Sequence, residues 1–124
     1  MRALVVDDSR AIRTVLKKML TASGFDEIVE AGHGGEAVAA LNAGPAPDVI
    51  LVDWNMPEMN GLELIRAVRG MPEHRRIPIV MVTTETEADQ VVKALAAGAN
   101  EYVMKPFTKE IIDDKLDLLG VGLV

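Results

Sequence analysis

Short apolar runs alternate with amphipathic stretches along the whole chain. The runs are Ala3-Leu4-Val5-Val6, Glu27-Ile28-Val29, Val49-Ile50-Leu51-Val52, Ile79-Val80-Met81-Val82 and Tyr102-Val103-Met104. Three of them are apolar at consecutive positions, which predicts parallel strands covered on both faces. Between the runs the spacing turns helical. Ile12, Val15, Leu16, Met19 and Leu20 follow the i, i+3, i+4, i+7, i+8 stripe, and Gly24 sits where a helix stops. Ala37, Val38 and Leu41 form a shorter stripe, followed by Leu62, Ile65 and Val68. Ala88, Val91, Val92 and Leu95 continue the series, with Gly98 as a stop, and Ile111, Ile112, Leu116 and Leu119 end it. Thr86 and Thr108 are placed to cap the last two helices, and Asp8 or Ser9 to cap the first. Gly44-Pro45-Ala46-Pro47 reads as a surface loop, and so does Gly32-His33-Gly34-Gly35.

Five strands alternating with five helices define a doubly wound α/β domain with three layers. The chain has 124 residues, enough for one domain of ordinary size, so a single unit over 1–124 is expected. The composition, 49% hydrophobic and 26% charged, is that of a globular protein. The chain has no cysteine, which excludes a disulfide scaffold, a thiolate zinc site, an iron–sulfur cluster and a cysteine nucleophile. Thirteen Lys and Arg stand against nineteen Asp and Glu, a net charge of −6 that argues against nucleic acid as the main partner. The apolar runs are far shorter than the ~20 residues needed to span a bilayer. Asp7 and Asp8 also interrupt the first run before a signal peptide can form. A cytoplasmic location without membrane attachment is expected.

In a doubly wound sheet, ligand chemistry gathers at the carboxyl ends of the strands where the strand order reverses. Asp7 and Asp8 follow the first run and Asp53 follows the third. With strand order 2-1-3-4-5 those two strands are neighbours, so the three carboxylates converge on one crevice. Two carboxylates ~4 Å apart repel by about 4 kcal/mol at an effective dielectric near 20, so a proton or a cation must compensate. A single Asp after a strand is more often a cap or a turn former. Three together, with oxygen ligands only, favour Mg²⁺. Thr83 ends the fourth run with a hydroxyl donor and Lys105 ends the fifth with a compact positive charge. A carboxylate nucleophile, a divalent cation, a hydroxyl and an ammonium on one rim are what phosphoryl transfer requires.

Several motifs point further: Leu4-Val5-Val6-Asp7-Asp8-Ser9, Asp53-Trp54-Asn55-Met56-Pro57, Asn60-Gly61-Leu62-Glu63-Leu64, Met81-Val82-Thr83 and Tyr102-Val103-Met104-Lys105-Pro106-Phe107-Thr108. In these the chain resembles the receiver domain of two-component response regulators, most closely the free-standing receivers of chemotaxis. The resemblance implies a flavodoxin-like (βα)5 fold with sheet order 2-1-3-4-5. It implies that Asp53 accepts a phosphoryl group from a phosphohistidine on a partner kinase. Asp8 and Asp53 then ligate Mg²⁺ directly, Asn55 through its backbone carbonyl and Asp7 through a water. Lys105 pairs with the phosphoryl group, Thr83 is the switch hydroxyl, and Tyr102 is the aromatic that turns inward with it. Asn55 and Glu85 occupy the positions that tune dephosphorylation. The altered surface comprises the fourth helix, fifth strand and fifth helix, with Gln90, Lys93, Ala94, Ala97 and Tyr102 as contacts. The Lys105-Pro106 bond is expected in cis. Trp54 is read as a cover on the acceptor loop and as a reporter of the site.

The resemblance implies a monomer that meets a histidine kinase of the chemotaxis type, a flagellar motor switch component and a phosphatase. A phosphorelay intermediate, a phosphate sink and a receiver isolated from a larger regulator are the alternatives within the family. An Asp-nucleophile phosphatase is disfavoured, because it needs a second carboxylic acid two positions after the nucleophile and Asn55 stands there.

Overall fold

The apolar runs form β1 (Arg2–Val6), β2 (Glu27–Ala31), β3 (Val49–Asp53), β4 (Ile79–Thr83) and β5 (Glu101–Met104). The amphipathic stretches form α1 (Arg10–Ala22), α2 (Gly34–Ala43), α3 (Gly61–Arg69), α4 (Val91–Ala97) and α5 (Lys109–Leu118). The computed structural model describes residues 1–56, 59–84 and 89–121. All strand pairs are parallel and the sheet order is β2-β1-β3-β4-β5. The expected order and fold class therefore stand.

Two apolar cores account for the consecutive burial along the central strands. Leu4, Val6, Ile50, Val52, Ile79 and Met81 face α2, α3 and α4, where they meet Ala37, Leu41, Leu64, Ile65, Val68 and Ala94. The alternate residues, Ala3, Val5, Val49, Leu51, Val80 and Val82, face α1 and α5 and meet Leu16, Leu20, Ile112 and Leu116. The period of two along each strand thus feeds two layers. The edge strands β2 and β5 are only partly covered.

Local signals fix most helix ends. Ser9 Oγ accepts the Ile12 N–H at 3.3 Å and caps α1, while the Thr108 hydroxyl accepts the Ile111 N–H and caps α5. Asn60 and Glu63 form a reciprocal capping box at α3. Gly24 and Gly98 follow their helices at φ 99° and 122°, in the region that glycine enters without strain. The Lys105-Pro106 bond is cis, and Gly44-Pro45-Ala46-Pro47 is a loop.

Two expectations need revision, and a third falls outside the described residues. Gly34 and Gly35 are not loop residues but open α2, with His33 as the cap, its Nδ1 accepting the Glu36 N–H at 3.3 Å. Glycines carry no helical signal, yet a Cβ at Gly34 would lie 2.6 Å from Met59, so the close approach of that side chain selects glycine there. Trp54 is buried in the α2–α4 core rather than lying over a loop. The cap and start assigned to the fourth helix, Thr86 and Ala88, lie outside the described residues. Regular helix begins at Val91, with Gln90 in the cap position and no side-chain cap hydrogen bond.

Candidate functional site

The site begins with two strand ends. Asp7 leaves β1, and its N–H still donates to Ala31 O of β2 at 3.1 Å. Its Oδ1 accepts the Ser9 N–H at 2.8 Å, which closes a tight turn around Asp8. Asp53 is the last residue of β3, and the next N–H, of Trp54, donates to Val82 O at 3.1 Å. The neighbouring registers of β1 and β3 bring the two ends together. Carboxylate oxygens of Asp7, Asp8 and Asp53 lie within 4.8 Å of one another. Asp7 and Asp53 are 1% and 5% exposed, whereas Asp8 is open to solvent.

Lys105, at the end of β5, supplies the only ammonium that reaches this trio among the described residues. Its Nζ lies 3.2 Å from Asp53 Oδ1 and 3.4 Å from Asp7 Oδ2. Burial pushes the Asp53 carboxyl up to about 6, and the Asp7 charge adds to this against the opposing pull of Lys105. Asp7 is raised too, mainly by burial. Burial lowers Lys105, but attraction to Asp53 and Asp7 outweighs it and leaves the ammonium above its ordinary value. The crevice is short of positive charge even with its lysine in place. Hard oxygen donors without sulfur or imidazole fit Mg²⁺, with Asp7, Asp8 and Asp53 as the residues to hold it.

Around the trio, Thr83 is fully buried at the end of β4, and its hydroxyl donates to Thr84 O at 3.4 Å. Its own carbonyl accepts the Lys105 N–H at 2.6 Å, which ties the lysine backbone to β4. Gly61 backs Asp53: its N–H donates to Trp54 O at 3.0 Å, and a Cβ there would lie 2.7 Å from Asp53 O. Asn55 is exposed two residues beyond Asp53. Tyr102 is half-buried against the α2–α4 core, with Lys115 Nζ 5.1 Å from the ring centroid. Glu85 lies outside the described residues.

Of the expected contact surface, Lys93 is exposed and Gln90, Ala97 and Tyr102 are half-buried. Ala94 is a correction: it is fully buried, with its methyl in the core. Val92, 72% exposed, and Leu95 are the large apolar side chains that α4 presents to solvent. Arg13 was missed altogether. Its Nη1 donates to Asp7 O at 2.5 Å and its Nε to Glu30 Oε1 at 3.2 Å. Its place six residues after Asp7, on the helix that leaves the acidic turn, was the available signal.

Together, fold and site define a doubly wound domain with an acidic crevice at its topological switch point, the build of a signalling receiver. Residues 3–117 match the response regulator receiver domain, and the chain belongs to that family. It is 48% identical over 123 residues to the "Chemotaxis protein CheY homolog" of Campylobacter jejuni, covering 98% of this chain and 95% of the relative. It is 44% identical over 119 residues to "Chemotaxis protein CheY1" of Helicobacter pylori, covering 96% of each. A crystal structure of Vibrio cholerae chemotaxis protein CheY4 superposes with a TM-score of 0.87 at 36% identity, over 95% of this chain and 97% of that one. A receiver of this kind is a signalling switch rather than a classical enzyme.

Proposed function

We propose that this chain is a phosphorylation-activated response regulator of chemotaxis, with Asp53 as the phosphoacceptor. The supporting observation is the convergence of Asp7, Asp8 and Asp53 within 4.8 Å, with Lys105 against two of them. An Asp53 carboxylate oxygen attacks the phosphorus of a phosphohistidine on a histidine kinase of the chemotaxis type. A P–O bond forms, the P–N bond breaks, and the imidazole leaves with the electron pair. Asp8, Asp53 and the Asn55 carbonyl, with Asp7 acting through a water, would hold Mg²⁺, which when bound would neutralise charge on the transferring oxygens. Lys105 exchanges its carboxylate contacts for a phosphoryl oxygen, and the Thr83 hydroxyl donates to another. Asn55 and Glu85 set access of the hydrolytic water.

Phosphorylation adds charge and acceptor oxygens, so an arrangement in which Thr83 and Lys105 bind them is favoured over the resting one. Tyr102, on β5 in register with Met81 and two residues before the partner of Thr83, carries that change outward. The output is altered affinity of α4, β5 and α5 for a flagellar motor switch component, with Gln90, Lys93, Ala97 and Tyr102 as contacts. A phosphatase is the partner that ends the signal. The setting is the cytoplasm; no helix among the described residues is long and apolar enough to cross a membrane.

Intact-mass spectrometry after incubation with Mg²⁺ and a small phosphodonor tests the chemistry. One phosphoryl group should appear, and it should vanish with a chelator or with Asp53→Asn. Phosphorylation that survives Asp53→Asn removes Asp53 from this role.

A further inference from the structure

Asp7 has three polar groups to place, the backbone N–H, the carboxylate and the backbone carbonyl, and two of them are held within the strand end and its turn. Its N–H is held by β2, and its carboxylate is held by the Ser9 N–H. The third, its carbonyl, is taken by the Arg13 guanidinium at 2.5 Å. That carbonyl and the Asp8 N–H share one rigid peptide plane, so holding the oxygen fixes the Asp8 N–Cα bond, and with the Ser9 N–H tied to Asp7 Oδ1 beyond it the direction of the Asp8 Cα–Cβ bond is restrained from both sides. The Asp8 side chain itself is exposed, so its aim depends on how the backbone on either side of it is held. Arg13 itself is well anchored. Its Nε donates to Glu30 Oε1 at 3.2 Å, its side chain is only 17% exposed, and Glu30 sits on β2 in register with Val5. Thus α1 and β2 clamp the guanidinium, and the guanidinium clamps the Asp7–Asp8 peptide.

We propose that Arg13 is a positioning residue for the cation site, aiming Asp8 by holding the Asp7 carbonyl. The inference rests on the Mg²⁺ reading above. Charge and geometry make opposite demands here. A cationic side chain near the crevice repels a divalent cation, so on charge alone its removal tightens Mg²⁺ binding. Positioning predicts weaker binding whenever the fork geometry is lost, even with the charge kept, because lysine cannot hold the carbonyl and Glu30 with the same planar pair of donors.

Mg²⁺ alone is titrated into the wild type, Arg13→Lys, Arg13→Met and Lys18→Met, by calorimetry and by Trp54 fluorescence. Lys18→Met removes an exposed cation of the same helix and is the charge control. Thermal melts in chelator run alongside. Both Arg13 variants should bind Mg²⁺ about tenfold more weakly or worse, the usual range for losing a group that orients a metal ligand, while Lys18→Met binds as tightly as the wild type or tighter. An unchanged affinity in Arg13→Lys, or a tighter one in Arg13→Met, overturns the inference and leaves the metal reading intact. A wild type that does not respond to Mg²⁺ overturns both. Should Arg13→Met fold poorly, Arg13→Lys and the charge control decide.

Discussion

Asp53 is held in a state that opposes folding. Its carboxyl is raised from 3.8 to about 6 by burial first and by the Asp7 charge second, so the folded chain binds this proton more tightly than the unfolded chain does. The stabilisation from the protonated form is complete below 3.8 and is lost as pH rises through about 6. At about 1.4 kcal/mol per pH unit, the span from 3.8 to about 6 corresponds to about 3 kcal/mol near neutrality. Asp53→Asn removes the ionised group, though Lys105 then keeps only Asp7 as a carboxylate partner. In chelator near pH 7.5 this variant should be more stable than the wild type by about 1–2 kcal/mol. Near pH 4 the advantage should shrink, and urea melts at both values check the difference. The same imbalance explains why the site residues were legible in the sequence. Asp7, Asp8, Asp53, Thr83 and Lys105 each follow an apolar run, and acids clustered at strand ends repel one another, which turn formation alone does not explain. Ala94 was misjudged, because a small residue in a short helix gives no sign of which face it occupies.

Element by element, helices and strands were readable wherever periodicity and caps agreed, as at Ser9 and Thr108. Long side chains that bond to distant backbone left no trace, because their acceptors are brought close only by the finished fold. Arg69 shows this most fully. From the last turn of α3 its Nε and Nη2 donate to Gly98 O, its Nη1 to Arg75 O and Ile77 O, and its Nη2 also to Asn100 Oδ1, all at 2.7 to 3.0 Å. All five guanidinium donors are used. Asn100 Oδ1 in turn accepts the Ile79 N–H, so one side chain joins α3, the start of β4 and the α4–β5 connection. Gly98 completes the seam: its φ is 122°, and a Cβ there would lie 2.7 Å from Arg69 Cγ. Arg69→Met should cost about 2–4 kcal/mol, since carbonyls are left without donors. Gly98→Ala should cost about 1–3 kcal/mol, from strain and overpacking. Because both changes damage one seam, the double variant should lose less than the two single losses added together. Denaturant melts of the four proteins measure that coupling, and strict additivity would show the two residues to act separately.

Across the whole molecule, the sheet carries two cores and concentrates its strain at one end. The alternation of Ala3, Val5, Leu51 and Val80 with Leu4, Val6, Ile50 and Met81 builds both cores, which is why the architecture could be read from hydrophobic pattern alone. The carboxyl ends of the same strands hold the unbalanced acids, so the global stability of the fold is coupled to what neutralises them. Protons and Mg²⁺ compete for that task. A ligand that binds only the folded chain adds about 2.7 kcal/mol at one hundred times its dissociation constant. At about pH 7.5 Asp53 is ionised and the cation meets little competition. At about pH 5 a proton occupies Asp53, and the cation must displace it. The rise in melting temperature with saturating Mg²⁺ should therefore be several degrees near pH 7.5 and small near pH 5. In chelator, this site should instead favour the lower pH. Asp53→Asn should remove most of the Mg²⁺ effect at both values. A Mg²⁺ increment that is independent of pH would show that the cation does not bind through the buried acids, and would separate the signal chemistry from the strain stored at the sheet's end.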